Sequence, residues 1–401
     1  MSAPDPVRLQ ELAAFYRSQL LDDIVPFWET NALDPEYGGF VTNRDRDGSV
    51  FEWDKICLWG NGRMIWAFSH LHNELEPRAS WLELARNGLE FAQAHVLDPS
   101  GRAYYSLTRD GRPLEGPRDV FSDLFHIQGF SEYARATGDE ALAEAAWVWL
   151  QRIWVLMQIP GKAHQPLGET MPLRALGHPI IMLNVIDELR RFRDRPQLRA
   201  MADECLRLIL DVHTNRQRRL TFENVRWDGD PAPAHWGRNV TPGHMIEAGI
   251  FIIHEAKWRG DEALTARGVE LIDWGMACGW DKEFGGIYNN IDSEGVPIAD
   301  TWLYMAPDKM WWQHTEALYG VLLAYVLTGE HRFRESYEQL HEYCFRHFPD
   351  PEYGEWFGVL DRRGHRLNDG KGYARKSLFH IGRNFLNAHR LAAGHPIWQR
   401  A

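Results

Sequence analysis

The sequence predicts an all-α protein: an (α/α)6 barrel, a toroid of six inner and six outer helices joined by short β-hairpin loops. Three observations lead there. A Gly-aromatic segment followed by an Asp/Gly turn recurs about every 65 residues, twelve stretches between these segments have helical apolar spacing, and those stretches alternate between apolar on most faces and amphipathic. The clearest copies of the segment are Gly38-Gly39-Phe40 before Arg46-Asp47-Gly48, Gly101 to Tyr105 before Arg109-Asp110-Gly111, Gly285 to Tyr288 before Asp292 to Gly295, and Gly354 to Phe357 before Asp361 to Gly364. Each reads as a hairpin closed by its own turn. A weaker copy, Arg219 to Phe222 before Trp227-Asp228-Gly229, follows the second after two periods, so one copy is missing and six units account for the 401 residues.

The helical stretches run, in order, over 8–29, 59–75, 79–96, 119–137, 139–157, 179–193, 197–213, 243–259, 261–277, 309–328, 331–347 and 378–393. Thr137-Gly138-Asp139, Arg259-Gly260-Asp261 and Thr328-Gly329-Glu330 each supply a C-terminal Gly and then an acidic start for the next helix, which makes tight αα-hairpins. Met245 to Ile253 is apolar on most faces and should be buried, whereas Arg332 to Leu340 is amphipathic and should face water. Six such pairs without a polar capping repeat predict a closed ring rather than an open solenoid, with one catalytic domain over 1–401.

Charge and composition bound the function. Lys and Arg number 44 against 56 Asp and Glu, a net charge of −12, which argues against a nucleic-acid partner. No uncharged apolar run reaches the roughly 18 residues of a membrane span, and the first residues lack the basic and apolar regions of a secretion signal. Cys57, Cys205, Cys278 and Cys344 have neither CxxC nor metal-ligand spacing and read as reduced core residues. The expected compartment is cytoplasmic, with no membrane partner. The 18 Trp, 13 Tyr and 19 Phe suit a core and also a cleft that stacks on sugar rings.

In a closed ring the starts of the inner helices converge on the axis, and every start carries ionisable groups. They are Asn61-Gly62-Arg63, Asp119 to Asp123, Gly177-His178-Pro179, Pro242 to Glu247, Trp311 to Glu316 and Phe379 to Arg383. His244 and His380 hold equivalent repeat positions and titrate near neutrality, as proton transfer requires. Arg63 and Arg383 add permanent positive charge, and the helix N-termini around them favour developing negative charge. Glu247, three residues from His244, is placed to fix its tautomer. Asp123, His178, His314 and Trp312 are candidates for substrate binding. GxGxxG, GxxxxGK[ST], GxSxG, HExxH and HxxxH patterns are absent, and the two arginines would repel a cation, so no metal is expected. Two rival readings stand beside this one: a carboxylate pair of Asp123 with Glu247 or Glu316 for glycoside hydrolysis, and a non-catalytic helical scaffold.

Six segments, in order, carry a family resemblance: Val25-Pro26-Phe27-Trp28, Asp54-Lys55 leading to Arg63, Asn239 to Glu247, Asp308 to Glu316, Asp350 to Gly358, and Phe379-His380-Ile381-Gly382-Arg383. Over about residues 8–393 the chain resembles the N-acylglucosamine 2-epimerase superfamily, whose relatives include cellobiose and mannose 2-epimerases and aldose-ketose isomerases. The third-repeat inner helix, Pro179 to Asn184, is closer to the N-acylglucosamine branch than to the disaccharide branch. Lys371 to Leu378, ahead of the last motif, departs from the family's Gly-rich approach. The resemblance implies an (α/α)6 barrel and a cytoplasmic homodimeric isomerase. It also implies epimerisation at C2 of a sugar, N-acetyl-D-glucosamine to N-acetyl-D-mannosamine or a related aldose pair, with no metal or redox cofactor and with ATP an effector in some members. Aldose-ketose isomerisation on the same fold is the alternative. The resemblance further implies acid/base roles for His244 and His380, orienting roles for Glu316 and Glu247, and substrate-oxygen contacts for Arg63 and Arg383.

Overall fold

The computed structural model describes residues 5–163, 172–295 and 306–396. Helix α1 (Pro6–Ser18), capped by the Asp5 carboxylate, continues through a π-turn at Gln19–Ile24 into α2 (Val25–Asn31). Then follow α3 (Trp59–Glu74), α4 (Ala79–His95), α5 (Phe121–Thr137), α6 (Glu140–Met157), α7 (Gly177–Phe192), α8 (Pro196–Arg207), α9 (Pro242–Arg259), α10 (Glu262–Gly279), α11 (Trp311–Thr328), α12 (His331–His347) and α13 (Leu378–Ala392). Helices α3, α5, α7, α9, α11 and α13 each pack on the next, and α13 packs back on α3. The ring is therefore closed, and the all-α (α/α)6 barrel expected from the repeat is what forms.

Outer helices α4, α6, α8, α10 and α12 each lean on the inner helix that precedes them, and α1 leans on α13. The chain's first helix thus supplies the sixth outer wall. Tyr16 and Tyr337 share a hydroxyl hydrogen bond of 2.8 Å across that seam, and Arg8 donates to Glu338. The inner/outer distinction follows from the apolar pattern. On α12 only Phe333, Tyr337, Leu340, Tyr343 and Cys344 are buried, one stripe at three- and four-residue spacing, while α9 is buried almost all round. Gly249 and Gly268 let α9 and α10 touch backbone to backbone, since a Cβ on either would lie 2.5 or 2.6 Å from the other's carbonyl oxygen. The αα turns form as predicted, with Gly138 and Gly260 left-handed and Asp139 and Asp261 capping the next helix.

The Gly-aromatic segments close across their own Asp/Gly turns, as in Ser106–Leu107 against Pro113–Glu115, Arg44 against Val50 and Leu360 against Arg366, and they are also tied to the rest of the fold. Each begins at an aspartate, Asp34, Asp98, Asp281 or Asp350, whose carboxylate accepts from the backbone two residues on. A cation from elsewhere in the fold then locks the turn: Lys55 and Arg109 on Asp34, Lys309 and Arg362 on Asp281, Lys371 and Arg46 on Asp350. Several strands pair with the neighbouring unit. Leu173–Ala175 runs against Asn224–Arg226, Asn239–Val240 against Ile291–Asp292, and Lys309–Met310 against Val359–Leu360. The loops therefore stitch the repeats together around one rim, the rim that receives the inner-helix N-termini. Among the described residues no helix is long and apolar enough to cross a membrane, and the four cysteines are free, three of them buried.

Candidate active site

Pro242 starts α9 and sets His244 in its first turn. Facing it is Glu223, just ahead of the Asn224–Arg226 strand. Its backbone is held from both sides, donating to the Asn239 carbonyl and accepting from the Leu176 N–H, each at 2.9 Å. The Glu223 carboxylate lies 2.8 Å from His244 Nδ1. Burial works against a charged imidazole here, but Glu223, helped by Glu247 and Glu316, outweighs it and pushes His244 up to about 9. At neutral pH His244 is an imidazolium. With Nδ1–H given to Glu223, its Nε2–H is the proton on offer.

His380 holds the matching place on α13, and its Nδ1 lies 2.7 Å from a Glu316 carboxylate oxygen. That same oxygen accepts a short hydrogen bond from Arg383, whose Nη2 also donates to Glu247 at 2.8 Å. A carboxylate already answered by a guanidinium adds little positive pull. Burial, followed by the nearby Arg63 cation, therefore holds His380 well below the ordinary histidine value. Glu316 still accepts from Nδ1–H, which fixes the tautomer and leaves Nε2 as a lone-pair base. Trp312 joins the two histidines: its indole leans on His244 at 5.0 Å and on His380 at 5.6 Å between ring centroids.

Arg63, on the second turn of α3, is 5% exposed, and among the described residues no carboxylate pairs with it. Its guanidinium sits over Phe125 at 4.0 Å, Phe379 at 4.8 Å and Trp59 at 5.4 Å, and donates to the Arg375 carbonyl at 3.1 Å. Burial lowers it to about 9, so it keeps its charge at neutrality. An uncompensated cation caged by aromatic rings is costly in a core. It is suited to an oxyanion that forms only during reaction.

Several expectations change. Glu247 does not hold His244; it belongs to Arg383, and Glu223 takes its place. The sequence reading missed Glu223 because it lies 21 residues before His244, with no helical spacing to tie them. Asp123 does not face the cleft. Its carboxylate is spent on the Arg102 side chain, the Ala103 N–H and the Trp149 indole. The hydrolase carboxylate pair therefore does not assemble. His314 is also scaffold, since Nδ1 donates to the Met310 carbonyl at 2.7 Å and Nε2 accepts from the Ile287 N–H at 2.9 Å, with both nitrogens consumed and the ring fully buried. His178 packs on Phe121, which in turn meets the Trp59 ring over Arg63, so two rings separate it from that guanidinium. Arg383 reaches the site with Nη2 already shared by two carboxylates, although Nη1 has no hydrogen-bond partner. Glu247, Glu316 and His380 are close enough to form a metal ligand set, but the Arg383 guanidinium is the cation their carboxylates hold.

The sequence pattern of N-acylglucosamine 2-epimerase (GlcNAc 2-epimerase) matches residues 38–383. The chain belongs to this family. It is 34% identical to N-acylglucosamine 2-epimerase of Bos taurus over 90% of this chain and 87% of that one, and 33% identical to the Homo sapiens protein over 91% and 86%. Cellobiose 2-epimerase of Bacteroides fragilis is 26% identical over 94% and 98%. The fold matches that of cellobiose 2-epimerase from Bacillus thermoamylovorans B4167, with TM-score 0.83, 20% identity and coverage of 95% and 100%. Membership makes the chain an isomerase of the epimerase class, and the family match ends at Arg383, the last residue of the site described above.

Proposed function

We propose that the protein interconverts N-acetyl-D-glucosamine and N-acetyl-D-mannosamine by moving the C2 proton from one face of the open-chain sugar to the other. Two histidines that lean on one indole, each with Nδ1 on its own glutamate, are the observation that carries this reading. Its support for the N-acetylated pair is the higher identity to N-acylglucosamine 2-epimerases than to the cellobiose and mannose enzymes.

A sugar C2–H is acidic only when C1 is an aldehyde, whose oxygen can take the charge. His380 Nε2 accepts the C2 proton. The C–H electron pair becomes the C1–C2 double bond, and C1=O becomes an enolate oxygen beside the Arg63 guanidinium; with a hydroxyl at C2 the intermediate is an enediolate. His244 then delivers its Nε2 proton to the other face, and C1=O re-forms. No electron leaves the substrate, so side chains suffice. His380 afterwards loses a proton and His244 regains one, and the reverse reaction starts from the exchanged form.

Proton NMR of each free sugar with the enzyme in EDTA tests this. N-acetyl-D-glucosamine should give N-acetyl-D-mannosamine and the reverse. Failure of both, with turnover of a C2-hydroxy aldose to its epimer or to a ketose, would overturn the substrate assignment.

A further inference from the structure

In the proposed reaction Arg63 meets the enolate oxygen, yet the direction of its guanidinium rests on one loop. Aromatic faces cage the group without fixing its hydrogen-bond directions. The Arg375 carbonyl, 3.1 Å from Nη1, is its only hydrogen-bond acceptor among the described residues, and the buried Nε has none. Arg375 sits in a tight turn closed by backbone hydrogen bonds between Tyr373 and Lys376 in both directions, at 3.3 and 2.8 Å. Whatever anchors this turn therefore decides where Arg63 points.

The anchor is a buried ion pair. The Lys376 ammonium, fully buried, donates to the Lys371 carbonyl at 2.6 Å and to Glu355 Oε1 at 3.0 Å. Glu355, also fully buried, takes the Trp356 N–H on the same oxygen at 2.7 Å and the Trp28 indole N–H on the other, while its own backbone N–H donates to the Asp23 carboxylate at 2.9 Å. This one carboxylate ties α2 and the last Gly-aromatic segment to the turn ahead of α13.

Two features of the pair run against stability. Glu355 has a left-handed backbone, φ 59°, at the place where two other copies of the segment have glycine, Gly39 at 70° and Gly286 at 74°. A buried ion pair is also commonly no better for stability than apolar side chains of the same volume. Backbone strain that delivers a fully engaged carboxylate behind a reactive group points to function.

We propose that Glu355 is a positioning residue for Arg63: through Lys376 it fixes the 373–376 turn, and the Arg375 carbonyl then holds the guanidinium where the C1 oxygen takes charge. The proposal rests on the oxyanion role given to Arg63 above and not on which sugar is bound. Glu355 and Lys376 are sealed from the cleft, so they act only through the turn. A small displacement is enough, because misplacing a reacting group by about 1 Å can cost about 10²-fold in rate.

Glu355→Gly with Lys376→Met tests this, since it relieves the left-handed strain and leaves neither charge of the pair buried alone. The double variant should stay folded at the assay temperature, with kcat about tenfold lower and KM within about twofold of native, for whichever sugar the native protein turns over. On an Arg63→Lys background the same two changes should lower kcat less than about twofold, the coupling expected of residues that act through Arg63. A native kcat in the folded double variant, or an equal loss with and without Arg63, would overturn the proposal. If the double variant unfolds, Glu355→Gln enters the same cycle: a loss of about threefold that vanishes in Arg63→Lys supports the proposal, and no loss or an undiminished one overturns it. A native kcat in Arg63→Lys alone would instead remove the oxyanion role itself.

Discussion

His244 at the start of α9 and His380 at the start of α13 are placed alike by the repeat, each with Nδ1 on a glutamate and each leaning on Trp312. They differ in what else their glutamates hold. Glu223 serves His244, so the imidazolium is favoured; Glu316 is shared with Arg383, and Arg63 adds a second cation, so neutral His380 is favoured. A carboxylate's other partners, not its distance, decide the histidine's charge. Repeat symmetry supplies two bases, and the break in symmetry gives one of them the proton.

The largest way to damage this arrangement short of removing a histidine is to alter Arg63. Arg63→Lys keeps the charge but loses the planar fork that stacks on Phe125 and Phe379. The variant should lower kcat about 10²–10³-fold, as loss of an oxyanion donor does, with a smaller change in KM. Steady-state kinetics in both directions checks it, and an unchanged kcat would reduce Arg63 to a packing residue.

A subtler change makes the two histidines alike. Glu223→Gln removes the carboxylate that raises His244, so its value falls. The native pH profile should hold a plateau above the low value of His380 and decline as His244 loses its proton near 9. In the variant the alkaline decline should move to lower pH, with about a tenfold lower rate at pH 8. The same pair contributes to stability. A raised histidine stabilises fully below its ordinary value of about 6.5, and that contribution is lost as pH rises through about 9. Thermal melts of native and variant protein should therefore differ at pH 6 and converge above pH 10.

Much of this was legible in the sequence because it is periodic. The apolar spacing located the inner and outer helices, and the repeat placed His244, His380, Arg63, Arg383 and Glu316 at one end of the ring. What escaped was not periodic. Glu223 reaches His244 from a strand edge, Asp123 turns away because Arg102 and Trp149 compete for it, and His314 is absorbed by backbone groups of Met310 and Ile287. Lys309 and Met310, read as the start of α11, form a strand because Val359 and Leu360 pair with them. In each case a partner distant in sequence decides where the residue ends up.

Exchange in deuterated water tests most directly whether the two histidines serve opposite faces of C2. His244→Asn and His380→Asn should each lower epimerisation by at least about 10²–10⁴-fold. His244→Asn should still exchange the C2 proton of one epimer through His380, and His380→Asn that of the other epimer only, read as loss of the C2 proton signal by NMR. Exchange of the same epimer by both variants, or epimerisation near the native rate in either, would contradict a two-base site.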